Sequence, residues 1–255
     1  MIEPAYPSTT GTMLAMVLEQ VGQPLREMRW PIPVPGEQEV LIRVSACGVC
    51  RTYLHIIDGE LPCHKMPLIP GHQIVGTVAQ KGPGVRRVAL GERVGVPWLG
   101  GTCHTCLYCK RGQENLCDNA FFTGYDKDGG YAQYARADRR YCFPLPENYD
   151  DVHAVPLLCA GLIGYRAYAM LGAAQCIGIY GFGAAAHLIV QVAHKQGKTI
   201  YAFTHPGDRH SQHFALTLGA AWAGDSTSKP PASMDGANHL RARWDTGTDS
   251  ACFTL

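Results

Sequence analysis

Four cysteines stand close together at Cys103, Cys106, Cys109 and Cys117, in the spacing C-x2-C-x2-C-x7-C. Four thiolates so arranged suit a tetrahedral zinc ion with no open position, the pattern of a structural site. Gly100, Gly101 and Gly112 let the segment bend around a metal. The competing reading is a pair of disulfides, which needs an oxidising compartment. Met1 to Thr12 is polar and lacks the basic start and apolar core of a secretory signal, so the metal reading is preferred. A second group of thiols, Cys47-Gly48-Val49-Cys50, has the C-x2-C spacing of a redox pair or half a zinc knuckle. Gly181-Phe182-Gly183-Ala184-Ala185-Ala186 is a G-x-G-x-x-A run between an apolar segment (176–180) and an apolar-periodic one (187–196). In a strand–turn–helix context, such glycines admit a pyrophosphate to the N-terminus of the helix.

Composition narrows the classes. The chain has 255 residues and a formal net charge of +1, with 46% hydrophobic and 17% charged residues. It can bury a core of one large or two ordinary domains. Near-neutral charge argues against nucleic acid or an anionic membrane as the main partner. A four-cysteine lobe could serve a nucleic-acid-binding finger, but such modules carry a basic stripe. Here Lys110 and Arg111 are balanced by Glu114 and Asp118. No apolar run reaches the roughly 18 residues that a membrane helix needs. The odd total of 11 cysteines suits a reducing cytoplasm.

The elements that must position these residues read as follows. Strands are expected at 13–18, 39–44 and 91–96, and another over 129–135 after a glycine turn. A helix is expected to open at Pro156 and run through Cys159 to Ala167. Strand 176–180, helix 187–196, strand 199–203, helix 208–218 and the start of a strand at 220–223 make a β-α-β-α-β series. From residue 225 onward no five-residue apolar run appears.

The lobe spacing, the Cys50-Arg51-Thr52-Tyr53-Leu54-His55 segment, Pro70-Gly71-His72-Gln73 and the later glycine run resemble the medium-chain zinc alcohol dehydrogenases over residues 14–236. The resemblance implies an α/β chain. A GroES-like, β-rich catalytic domain would span 1–150 with its zinc lobe at 100–118. The first half of a Rossmann coenzyme domain, incomplete here, would span 151–237, followed by an irregular tail over 238–255. It implies two zinc ions per chain, the catalytic one on Cys50, His72 and Cys159, and NAD or NADP as cofactor. Thr52 and His55 would relay the alcohol proton. Arg51, Gly181, Phe182, Gly183, Ala184, Ala185, Thr204, His205 and Arg209 would bind the dinucleotide. The substrate would be a small alcohol, aldehyde or ketone, and full-length relatives are expected to be homo-oligomers.

Tyr53 and Gln73 depart from the pattern, standing where the family commonly has Asp and Glu beside zinc ligands. Their neutrality predicts a site that binds zinc but is more electropositive and more easily stripped. The strand before Asp208 ends without a carboxylate, which leans the cofactor choice towards NADP or dual use. Only about three coenzyme-domain strands can be counted, which leaves Cys176–Tyr180 as an open edge and predicts a poor dehydrogenase, with a frameshift near Ala237 as the cause. A zinc-binding remnant without activity and a zinc-free quinone reductase relative are the alternatives.

Overall fold

The computed structural model describes residues 11–240 apart from Cys63. Contacts divide the chain into two compact units, Met1–Cys159 and Ala160–Leu255.

The first unit is built from antiparallel strands. β1 (Thr12–Val17) pairs with β2 (Arg26–Pro31), and its strict alternation buries Met13, Ala15 and Val17. β3 (Glu39–Cys47) leads into the short helix α1 (Arg51–Ile57), and β4 (Ile74–Lys81) follows. β5 (Arg93–Val96), β6 (Leu99–Gly101), helix α2 (Leu107–Lys110) and β7 (Phe121–Phe122) come next. β8 (Tyr134–Asp138), β9 (Phe143–Pro144) and helix α3 (Asp151–Ala154) close the unit. The main sheet has the order β8-β3-β4-β5-β9. Val40, Ile42, Ile74, Val78, Val94 and Val96 form its core, the β-branched filling that a pleated surface favours. β6 and β7 make a separate ribbon, with α2 between them in sequence. Arg93 ties β5 to α3 and the segment before it: it reaches the Asp151 carboxylate at 2.7 Å and the carbonyls of Pro146 and Tyr149 at 3.0 and 2.7 Å.

The second unit begins with helix α4 (Ala160–Ala169), then β10 (Cys176–Tyr180), helix α5 (Ala184–Lys195) and β11 (Thr199–Thr204). Helix α6 (Arg209–Thr217), β12 (Trp222–Asp225) and β13 (Gly236–His239) complete it. The sheet order is β12-β11-β10-β13, all parallel. Ile177, Ile179, Ile200 and Ala202 pack with Ala186, Ile189, Val190 and Ala193 of α5 in one core. The order reverses at β10, and the crevice beyond the carboxyl ends of strands at such a reversal is where open α/β sheets bind ligands. Among the described residues, no helix is long and apolar enough to cross a membrane.

Three expectations need correction. The helix expected over 156–167 is broken: a 3-10 turn spans Val155–Leu158, Cys159 leaves helical geometry at φ −136° and ψ −78°, and α4 starts after it. The strand expected over 129–135 starts only at Tyr134, because Gly129, Gly130 and Tyr131 spend their N–H groups on Ile69, Gly71 and Pro70 carbonyls. β10 is not an open edge, since β13 lies alongside it. Asp235 anchors that fourth strand by accepting from the Gln175 and Cys176 N–H groups at 2.8 and 2.9 Å. Asn238 and His239, expected in an irregular tail, therefore belong to a strand, while residues 241–255 and Met1–Thr10 lie outside the described residues.

Candidate metal centres and coenzyme turn

The ribbon β6–β7 frames the first centre. Cys103, Cys106, Cys109 and Cys117 bring their sulfurs within 4.8 Å of one another. The Cys103 Sγ lies 3.9 Å from that of Cys109 and 3.5 Å from that of Cys117. A zinc tetrahedron with Zn–S of about 2.3 Å has edges of about 3.8 Å, so the separations fit the ion. Main-chain N–H groups point at the sulfurs: Cys106 donates to Cys103 and Cys103 to Cys117, both at 3.3 Å, and Asn119 to Cys117 at 3.4 Å. Such bonds favour thiolates. The N–H groups of Thr105 and Cys106 lower the Cys103 thiol to about 5, whereas desolvation pushes Cys109 up to about 12. A divalent cation removes that conflict by binding all four sulfurs as thiolates and offsetting half of their charge. His104 turns the chain here with φ +57°.

The second centre joins three distant segments. Cys50 occupies the N-cap position of α1 in extended conformation. His72 precedes β4 and is 1% exposed. Cys159 sits on the break after the 3-10 turn. Their ligand atoms also lie within 4.8 Å of one another, with His72 Nε2 at 3.4 Å from Cys159 Sγ. Cys50 is lowered to about 3, first by the Cys159 thiol and then by His72 and Thr52, while Cys159 is pushed up, first by Cys50. The two sulfurs oppose each other's ionisation, and a cation between them relieves that opposition. Two thiolates and one imidazole are a donor set for zinc with one position left open.

His72 is held by its surroundings. Gly71 adopts φ +111°, and a Cβ there would lie 2.8 Å from the Gly130 and Tyr131 nitrogens and 2.9 Å from Cys47 Sγ. The Tyr53 hydroxyl accepts the main-chain N–H of His72. The imidazole lies 4.8 Å from the Tyr53 ring and 4.8 Å, edge on, from Trp98. Burial, above all, pushes the Tyr53 phenol up, so it stays neutral. Gln73 is buried beside it and accepts the Gly48 N–H on its main-chain oxygen at 3.1 Å. Replacing Gly71 by Ala will strain the backbone and displace His72. A loss of about 2–4 kcal/mol is expected, read as a lower unfolding midpoint with weakened metal retention. An unchanged midpoint would contradict this placement.

On α1, the Thr52 hydroxyl lies 3.4 Å from Cys50 Sγ, and Arg51 is exposed. Buried His55 pairs through Nδ1 with the half-exposed Glu60 carboxylate.

In the second unit, Gly181 takes φ +87° and donates its N–H to the Phe203 carbonyl at 2.9 Å, which makes the tight turn. Gly183 caps α5, and nothing lies within 4 Å of where its Cβ would stand. Phe182 packs on His187, which packs on Phe214. Ala184 is exposed and Ala185 buried. The first turn of a helix so capped presents unpaired N–H groups of the kind that suit an anion. Thr204 is buried, and its hydroxyl accepts from Gln212 Nε2 at 3.1 Å. His205 and Arg209 are exposed beyond it.

Residues 36–147 match the family model of the alcohol dehydrogenase GroES-like domain. The chain is 44% identical over 242 residues to a probable alcohol dehydrogenase, AdhA, of Mycobacterium tuberculosis (strain CDC 1551 / Oshkosh), covering 91% of this chain and 69% of that protein. The chain belongs to the alcohol dehydrogenase family. An alcohol dehydrogenase of Geobacillus stearothermophilus is 43% identical over 193 residues, covering 74% of this chain and 57% of its own length. A solved structure described as a zinc-binding dehydrogenase of Sinorhizobium meliloti 1021, bound to NADP, superposes with a TM-score of 0.74 at 32% identity. That match covers 84% of this chain and 62% of that one. The chain thus spans less than two thirds of the length of several relatives it matches.

Glu60 and Trp98 were not legible as site residues in the sequence. Glu60 meets His55 only because α1 ends between them, and Trp98 reaches His72 through tertiary packing. Neither carries a local motif.

Proposed function

We propose that this chain serves zinc-dependent hydride transfer between a small alcohol and its aldehyde or ketone, with NAD or NADP. The convergence of Cys50, His72 and Cys159 carries the reading. Zinc bound there supplies Lewis acidity to a substrate oxygen. Thr52, whose hydroxyl lies beside Cys50, takes the alcohol proton in this reading, and the pairing of buried His55 with half-exposed Glu60 supports a path towards solvent. A bound nicotinamide would supply the hydride chemistry. The four-cysteine lobe holds a second, structural zinc. Assay of the purified protein for reduction of NAD and NADP with a panel of primary and secondary alcohols tests the reading. Turnover that is lost with a chelator and restored by zinc supports it. No turnover with any alcohol or carbonyl partner, in protein loaded with zinc, refutes it.

The strand end after β11 favours a 2′-phosphate. Asp208 is spent as the cap of α6, accepting the Ser211 N–H at 3.0 Å, and that bond lowers its carboxyl. Asp225 holds the Gly207 N–H and the Gln212 amide at 3.0 and 2.7 Å. His205 and Arg209 remain exposed at the turn, and a guanidinium suits a phosphate. Binding measurements are expected to favour NADP over NAD. Replacing both His205 and Arg209 by Ala should weaken NADP about tenfold or more and leave NAD unchanged. Preferential binding of NAD by the unaltered protein would refute this.

A further inference from the structure

We propose that Tyr53 sets how firmly the Cys50–His72–Cys159 site holds its metal, clamping the main chain of His72 while leaving the imidazole without an acceptor. The proposal rests on the zinc reading of that cluster. His72 directs Nε2 towards the sulfurs, 3.4 Å from Cys159. To ligate through Nε2 the neutral ring must carry its proton on Nδ1. Among the described residues, His72 Nδ1 is buried and finds no hydrogen-bond partner. In metal sites that N–H almost always donates to a carboxylate, a carbonyl or a water, which fixes the tautomer and raises the basicity of the ligand.

Tyr53 packs on this imidazole, yet its hydroxyl does not serve Nδ1. Its ring lies 4.8 Å from the imidazole, tilted by 49°, and its hydroxyl accepts the His72 main-chain N–H instead. Tyr131 backs it at 5.0 Å. Gln73, next in the chain, turns its Oε1 to within 2.7 Å of where a Cβ on Gly48 would stand. The ring of His72 is therefore positioned by packing between Tyr53 and Trp98, and its basicity is left unassisted. The consequence is a correctly shaped site from which zinc exchanges readily.

The test follows zinc release from the zinc-loaded full chain into an excess of a chromogenic chelator. The phase that disappears in Cys159→Ser belongs to this site. Tyr53→Asp offers Nδ1 a carboxylate and is expected to slow that phase at least about tenfold. Tyr53→Asn, which offers a neutral acceptor of the same size, should slow it less and carries the test if the acidic variant does not fold. Tyr53→Phe removes the clamp and gives Nδ1 nothing, so release should become faster. A merely structural Tyr53 would make release faster in all three variants. Release that is unchanged or faster in both Tyr53→Asp and Tyr53→Asn, from protein that still binds two zinc ions, overturns the proposal. Absence of that phase from the unaltered protein would instead overturn the zinc reading itself.

Discussion

Replacing Cys106 by Ser is expected to cost the protein one zinc ion and much of its stability. The lobe between β6 and β7 has few resources of its own. α2 is four residues long, no residue of it is buried, and Leu107, Tyr108 and Phe121 are exposed. With so little apolar burial, its order must come from the four sulfurs and the N–H groups aimed at them. Structural zinc contributes about 10–16 kcal/mol of apparent binding energy in small zinc domains, and that energy is folding energy. Even a loss of about 3 kcal/mol would lower the unfolding midpoint by about 6–12 °C for a unit of this size. Metal analysis and thermal unfolding of the variant check both parts. An unchanged zinc content, or an unchanged midpoint, would show that the lobe is held by something other than metal.

Replacing Cys50 by Ser is expected to have the opposite profile: activity lost, fold kept. Cys50 stands at the N-cap of α1 in extended conformation, a position that Ser fills well, so Ser can occupy it without strain. Cys50 packs only at the margin of the hydrophobic cluster of Leu18, Tyr53, Ile56 and Leu68, whose buried members are untouched by the change. The second zinc, however, loses a thiolate. Lewis-acid stabilisation worth several kcal/mol goes with it, so turnover should fall about a thousandfold or more. The lobe should retain its own zinc. Near-normal turnover in this variant, or loss of both zinc ions, would contradict the separation of the two centres.

The two centres differ in how legible they were. Cys103 to Cys117 is a local pattern, and a compact loop can bring its thiols together without help from the rest of the fold. Cys50, His72 and Cys159 come from a helix cap, a strand entry and a helix break. Their meeting was visible only through likeness to a family. The break at Cys159 was hidden because Pro156 to Ala167 has ordinary helical composition. It is the fold around the main sheet, with Leu158 and Val155 buried against Val75, that sets that segment. The β-α-β-α-β series of the second unit was readable from apolar runs and period. β13 was not, because Gly236-Ala237-Asn238-His239 has no apolar run and owes its extension to Asp235 and to pairing with β10. The glycine turn shows the same limit from the other side. Gly129 to Tyr131 looks like the start of a strand, yet its N–H groups serve the loop that presents His72.

The central claim is that this chain builds two separate zinc centres, one closed and one open. Zinc content of the purified, unaltered protein, measured by atomic emission against protein concentration, tests it most directly. The account predicts two zinc ions per chain, falling to one in Cys106→Ser and to one in Cys50→Ser. One zinc or none in the unaltered protein would contradict it.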